Sequence, residues 1–120
     1  MDVETQFNVT TLEGVPVVLI TGDLDQYSTP RFRSVVSELV EKGLKNLVVD
    51  MSEVRFLDSG GMSGLIFAIK CLSAMGGRLS LANCNPRIAR KLDIGGLTKM
   101  PDVLALCTSL EQALQDSRKP

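Results

Sequence analysis

An α/β fold with a mainly parallel sheet and an N-terminal β-hairpin is predicted from three observations on this chain of 120 residues. Short runs of Val, Leu and Ile alternate with longer runs whose apolar residues recur at three and four positions. The first two strand-like runs follow each other across Glu13-Gly14 with no helix between them. Glycines, alone or paired, stop three of the four helical runs (Gly43, Gly76-Gly77, Gly95-Gly96). The order is β-β-α-β-α-β-α-β-α, with about four helices and right-handed crossovers, in one domain across 1–120.

Each element has its own signal. Gln6 to Leu12 is expected as a strand with Phe7 and Val9 on one face, turning at Glu13-Gly14 into Val15-Pro16-Val17-Val18-Leu19-Ile20. Pro16 suits a strand beginning or an edge position. Gly22 to Tyr27 reads as a loop. Thr29 is a candidate N-cap with Pro30 at the first helical position, and Phe32, Val35, Val36, Leu39 and Val40 predict a helix over 30–42, ended by Gly43. Leu44 to Met51 has the β-branched character of a strand covered on both faces.

Met62, Leu65, Ile66, Ile69 and Leu72 predict a second helix ending near Gly76-Gly77, followed by a strand over Arg78 to Ala82. Asn85-Pro86 opens a helix carrying Ile88, Ala89 and Leu92, which stops at Gly95-Gly96. Val103 to Leu106 is the last strand. Thr108-Ser109 caps a terminal helix with Leu110, Ala113 and Leu114, and residues 117–120 are expected to fray. Two loops, Gly22 to Thr29 and Ser52 to Ser59, fall beyond the carboxyl ends of strands, where α/β folds keep their functional loops. If the two strands are neighbours, the loops make one surface.

Composition narrows the function classes. The hydrophobic fraction of 44% suits a globular domain. No apolar run approaches the roughly 18–20 residues of a membrane span. Met1-Asp2-Val3-Glu4 lacks the basic and apolar regions of a signal peptide, so a cytoplasmic location is expected. Cys71, Cys84 and Cys107 have no metal-binding spacing and read as buried free thiols. Net charge is −1 without a basic field, which argues against nucleic-acid binding; Arg87, Arg90 and Lys91 read as a solvated helix face. The chain has no histidine, so Ser-His-Asp and Cys-His nucleophiles, histidine metal sites and histidine phosphotransfer are all excluded. A binding or regulatory module is favoured over an enzyme, with no cofactor or metal expected.

Asp58-Ser59-Gly60-Gly61-Met62-Ser63-Gly64-Leu65 is the richest segment. It sets a hydroxyl beside a carboxylate at a helix start, where free N–H groups and the dipole tolerate phosphate. The plain alternative is that Asp58 or Ser59 only caps the helix. Ser63 lies one turn on but inside the helix. Asp23 and Asp25 are too few for a Mg²⁺ site and read as turn-forming or partner-facing acids. The nearest lysine is Lys70 and no GxxxxGK[ST] is present, which disfavours a P-loop.

Gly22-Asp23-Leu24-Asp25 with Tyr27-Ser28-Thr29-Pro30 resembles the corresponding segment of the anti-sigma factor antagonist (STAS) family, as does Phe56-Leu57-Asp58-Ser59-Gly60-Gly61. Gly76-Gly77-Arg78-Leu79 and Leu92-Asp93-Ile94-Gly95-Gly96-Leu97 match two further stretches, so the resemblance spans about residues 5 to 115. It implies a single STAS domain acting as a cytoplasmic switch. The unphosphorylated form would bind an anti-sigma factor, a GHKL-type serine kinase, and free the sigma factor. The kinase would phosphorylate Ser59, and a PP2C-type phosphatase would reset it. The implied partner surface comprises Asp23, Asp25, Tyr27, Ser28, Thr29, Asp58, Gly60, Gly61 and Met62, on a monomer or weak dimer.

Gly60 departs from the family's usual Ser or Thr, which removes a competing hydroxyl and is expected to loosen the helix start. Met62 replaces a common Leu. Two other readings stand beside this one: a STAS scaffold or regulatory subunit of a transporter or stressosome-like complex, and a nucleotide-binding module using the Gly60-Gly61 helix start.

Overall fold

The computed structural model describes residues 4–118. Strands β1 (Gln6–Leu12) and β2 (Val15–Leu24) form the hairpin, closed by Leu12 opposite Val15. Glu13 and Gly14 both take positive φ, 51° and 80°, the sense of twist a two-residue hairpin turn needs. Strands β3 (Asn46–Leu57), β4 (Arg78–Ala82) and β5 (Leu104–Cys107) then add in parallel, and the sheet order is the chain order. Helices α1 (Thr29–Glu41), α2 (Ser59–Ala74), α3 (Pro86–Ile94) and α4 (Leu110–Ser117) make the connections and the C-terminal cover, with a short 3-10 turn over Leu97–Lys99. The predicted order of elements is the observed one.

Alternation along the strands sends neighbouring side chains to opposite faces. Val18, Ile20 and Val49 enter the larger core with Phe32, Val36, Leu65, Leu72, Ile88 and Leu92 from α1, α2 and α3. Val17, Val48 and Ala82 face the other way into a smaller core closed by Ala113 and Leu114 of α4. Pro16 lies near the start of β2, one residue before pairing with β3 begins at Val17, so no ladder bond is lost to it.

Several expectations are corrected. Both site loops are shorter than expected, because β2 continues to Leu24 and β3 to Leu57. Their pairing slips by one residue between Leu19 and Thr21 and again between Gly22 and Leu24, which sets Leu24 beside Leu57 at the end of the ladder. Thr29 is not the N-cap of α1. Ser28 precedes the helix without a capping bond, and Thr29 is already helical.

The chain end is anchored at Ser117. Its carbonyl accepts from Asn46 Nδ2 at 2.9 Å, and the neighbouring Asp116 carboxylate takes Ser80 Oγ and faces Arg78 Nε, each at 3.0 Å. The expected fraying therefore fails at Ser117, while 119–120 lie outside the described residues. No disulfide joins the three cysteines, and only Cys107 is fully buried. Burial, with Cys107 nearby, pushes the Cys84 thiol up to about 12.

Candidate functional site

The site forms where β2 and β3 end side by side. Leu24 pairs with Leu57, and the next residue, Asp58, donates its N–H to the Leu24 carbonyl at 3.4 Å. The Asp58 carboxylate then does two jobs. Oδ1 accepts the Gly61 N–H at 2.8 Å and caps α2, while Oδ2 accepts the Gln26 N–H at 3.2 Å. One side chain thus ties the β2–α1 loop to the start of α2. The cap is Asp58, which leaves Ser59 as the first helical residue, exposed to solvent.

Ser63 differs from Ser59 in being committed: its hydroxyl donates to the Gly60 carbonyl at 2.7 Å and receives Arg33 Nη2 at 3.3 Å. No such side-chain bond holds the Ser59 hydroxyl among the described residues.

The glycines of the segment are there because the two loops touch. A Cβ on Gly60 would stand 2.6 Å from Gln26 Cα, and one on Gly61 would overlap the Leu24 carbonyl oxygen. Gly64 lets Thr29 Cγ2 approach from α1, with 2.8 Å to a Cβ placed there. Thr29 Oγ1 also donates to the Gly60 carbonyl at 3.1 Å. Gly60 was expected to loosen the start of the helix; its lack of a side chain instead permits close packing.

The β2–α1 loop is organised by Asp25. Its Oδ1 accepts the N–H groups of Ser28 at 2.9 Å and Tyr27 at 3.0 Å. The Ser28 N–H is the main reason its carboxyl titrates below the usual aspartate value. Ser28 and Thr29 are buried, so their side chains shape the loop from behind, whereas Tyr27 is 81% exposed. Ser28 Oγ and Thr5 Oγ1 both donate to the Asp23 carbonyl, at 2.8 and 2.7 Å, leaving the Asp23 carboxylate half-exposed at the surface. Among the described residues no cluster of carboxylates and thiols has the makings of a metal site.

A feature outside the sequence reading lies on the other flank of Ser59. Met62 and Ile66 of α2 face Ile94 and Gly95 across a groove of about 400 Å³, with Ser59 at its rim. Lys91 is not simply solvated. Its Nζ donates to the Leu57 carbonyl at 2.6 Å and lies 4.6 Å from the centroid of the Phe56 ring. Ile94, which figured in the sequence only within the stretch Leu92 to Leu97, is 75% exposed.

A serine-bearing helix start and a second loop thus share one end of a small five-stranded α/β sheet whose first two strands are an antiparallel hairpin. The chain belongs to the STAS domain family, whose model matches residues 6–113. The anti-sigma-B factor antagonist of Bacillus subtilis (strain 168) is 34% identical over 88 residues, covering 73% of this chain and 80% of that protein. The crystal structure of an anti-sigma factor antagonist from Mycobacterium paratuberculosis superposes with a TM-score of 0.84 at 27% identity, over 97% of this chain and 96% of that one. A candidate anti-sigma factor antagonist from Thermotoga maritima gives 0.85 at 20% identity over 94% and 95%, a likeness of fold. Among the described residues no helix is long and apolar enough to cross a membrane.

Proposed function

We propose that this protein is a cytoplasmic anti-sigma factor antagonist whose binding is switched off by phosphorylation of Ser59. The observation that carries this reading is the contrast at the start of α2: Asp58 is committed to Gly61 and Gln26, while the adjacent Ser59 is exposed and untied. The names of its relatives support the same class.

In the unphosphorylated form, Asp23, Asp25 and Tyr27, backed by Ser28 and Thr29, join Asp58, Ser59, Gly60, Gly61 and Met62 as a surface for an anti-sigma factor of the GHKL serine kinase type. That partner transfers the γ-phosphoryl group of ATP to Ser59 Oγ, with ADP leaving and the hydroxyl proton lost. A PP2C-type phosphatase hydrolyses the phosphoserine and restores binding. The chain itself supplies no chemistry. It has no histidine, and the Asp58 carboxylate is occupied.

Phosphate adds about −1.5 to −2 charges. Beside Asp58, and across a closely packed partner, that charge costs desolvation and repulsion. The test is a pull-down with wild-type and Ser59→Asp protein, mass spectrometry of the captured kinase and of Ser59, then calorimetry. Ser59→Ala should bind constitutively, and phosphorylated protein should bind about a hundredfold more weakly, the scale of an unpaired charge in an interface. Equal affinity of the two forms would end the proposal.

A further inference from the structure

Among the described residues, strand β1 is an outer strand whose one neighbour in the sheet is β2. Outer strands are usually kept from pairing with other chains by charges, prolines or bulges. None of these protects Gln6-Phe7-Asn8-Val9-Thr10-Thr11-Leu12. The strand carries no charged residue and no proline, and it runs along β2 without a register shift. Val9 is 45% exposed and Leu12 38%.

The hairpin turn decides which backbone groups are free. In a two-residue hairpin the residues flanking the turn exchange both ladder bonds, here Leu12 and Val15. Counting back in twos, the even-numbered residues of β1 bond to β2. Phe7, Val9 and Thr11 therefore aim their N–H and C=O groups outward.

We propose that β1 pairs antiparallel with β1 of a second copy of this chain, about a two-fold axis at Val9, joining two five-stranded sheets into one of ten. What favours a second copy over a foreign strand is self-complementarity. Centring on Val9 sets Val9 against Val9 and Phe7 against Thr11, the residues with free backbone groups. Gln6 then meets Leu12, and Asn8 meets Thr10, so the exposed Val9 is covered by Val9 of the other copy and Leu12 lies against the Gln6 side chain, with no charged residue between the strands. The flanking carboxylates do not oppose each other: Glu4 falls opposite Gly14, and Glu13 opposite Thr5. A contact confined to one strand per copy is small, so the dimer is weak and concentration-dependent. The antiparallel arrangement sends the two Ser59 regions to opposite ends, leaving both open; the proposal does not rest on Ser59 chemistry.

Sedimentation of the whole chain across a micromolar-to-millimolar dilution series tests it. The wild type should approach twice the chain mass at the concentrated end. Val9→Pro removes an outward N–H without touching the β1–β2 ladder, and Val9→Lys sets two like charges against each other. Both variants should keep the wild-type circular dichroism and stay monomeric throughout. If Val9→Pro fails to fold, Val9→Lys carries the test, since residue 9 is already half in solvent. A wild type that stays monomeric at millimolar concentration, or a dimer that persists in Val9→Lys, overturns the proposal.

Discussion

At the scale of single residues, the helix start is decided by what glycine lacks. Replacing glycine by alanine inside a helix ordinarily gains about 1 kcal/mol. At Gly61 the added methyl would overlap the Leu24 carbonyl, and at Gly60 it would press on the Gln26 backbone. Neither neighbour is a flexible side-chain end, and overpacking against such atoms costs about 1–3 kcal/mol. The clash should therefore win at both positions, and more at Gly61. We expect Gly61→Ala to lower the urea midpoint by the equivalent of about 2 kcal/mol, and Gly60→Ala by less. A variant more stable than wild type would show that the loops can part without cost. The hydroxyl and carboxylate of this site were legible in the sequence because they are local chemistry. The reason for its glycines was not, since the atoms they make room for come from a loop more than thirty residues away.

At the scale of elements, alternation and capping residues located every strand and helix, and the errors fell at their ends. Ser52-Glu53-Val54-Arg55-Phe56-Leu57 looked like loop because three of its residues are polar, yet Val54 and Leu57 are buried and the segment completes β3. The two register slips that make this possible leave no mark in the sequence. Thr29 was expected to cap α1 because it precedes Pro30, but the β2–α1 loop is closed one step earlier, by Asp25 accepting from Tyr27 and Ser28.

That closure makes the loop sensitive to acid. The folded-state pKa of Asp25 lies below its ordinary value of 3.8, so the contribution is present above that value and disappears as pH falls through the folded one. Asp25→Asn should therefore lose stability at pH 7 and less at pH 2, because the wild-type carboxyl gives up its charge as pH falls below its ordinary value. Urea unfolding of both proteins at the two pH values measures this. An equal deficit at both would mean that the shape of the side chain matters, not its charge.

At the scale of the whole molecule, sequential strand order puts the two candidate site loops on one end of the sheet and both cores away from it. The sequence indicated strands covered on both faces, but not that α4 would be held by Asp116 and Ser117, the second of which lies where fraying was expected to begin. Stability thus resides in Val18, Ile20, Leu65 and Leu72 on one face and Val17, Val48 and Leu114 on the other, none of which touches the Ser59 hydroxyl.

A phosphate on Ser59 then meets two opposing surface effects. The start of α2 attracts it, by about 0.3–1 kcal/mol at an exposed helix terminus. The Asp58 carboxylate one residue away repels it, by a similar amount in water. The sum should leave the fold in place, with a urea midpoint within about 1 kcal/mol of the unmodified protein and an unchanged circular dichroism spectrum. Stoichiometrically phosphorylated protein, with the site verified by mass spectrometry, provides the comparison. A larger loss of stability would make the switch a change of conformation. A small one, together with lost binding, confines it to the surface shared by the β2–α1 loop and the start of α2.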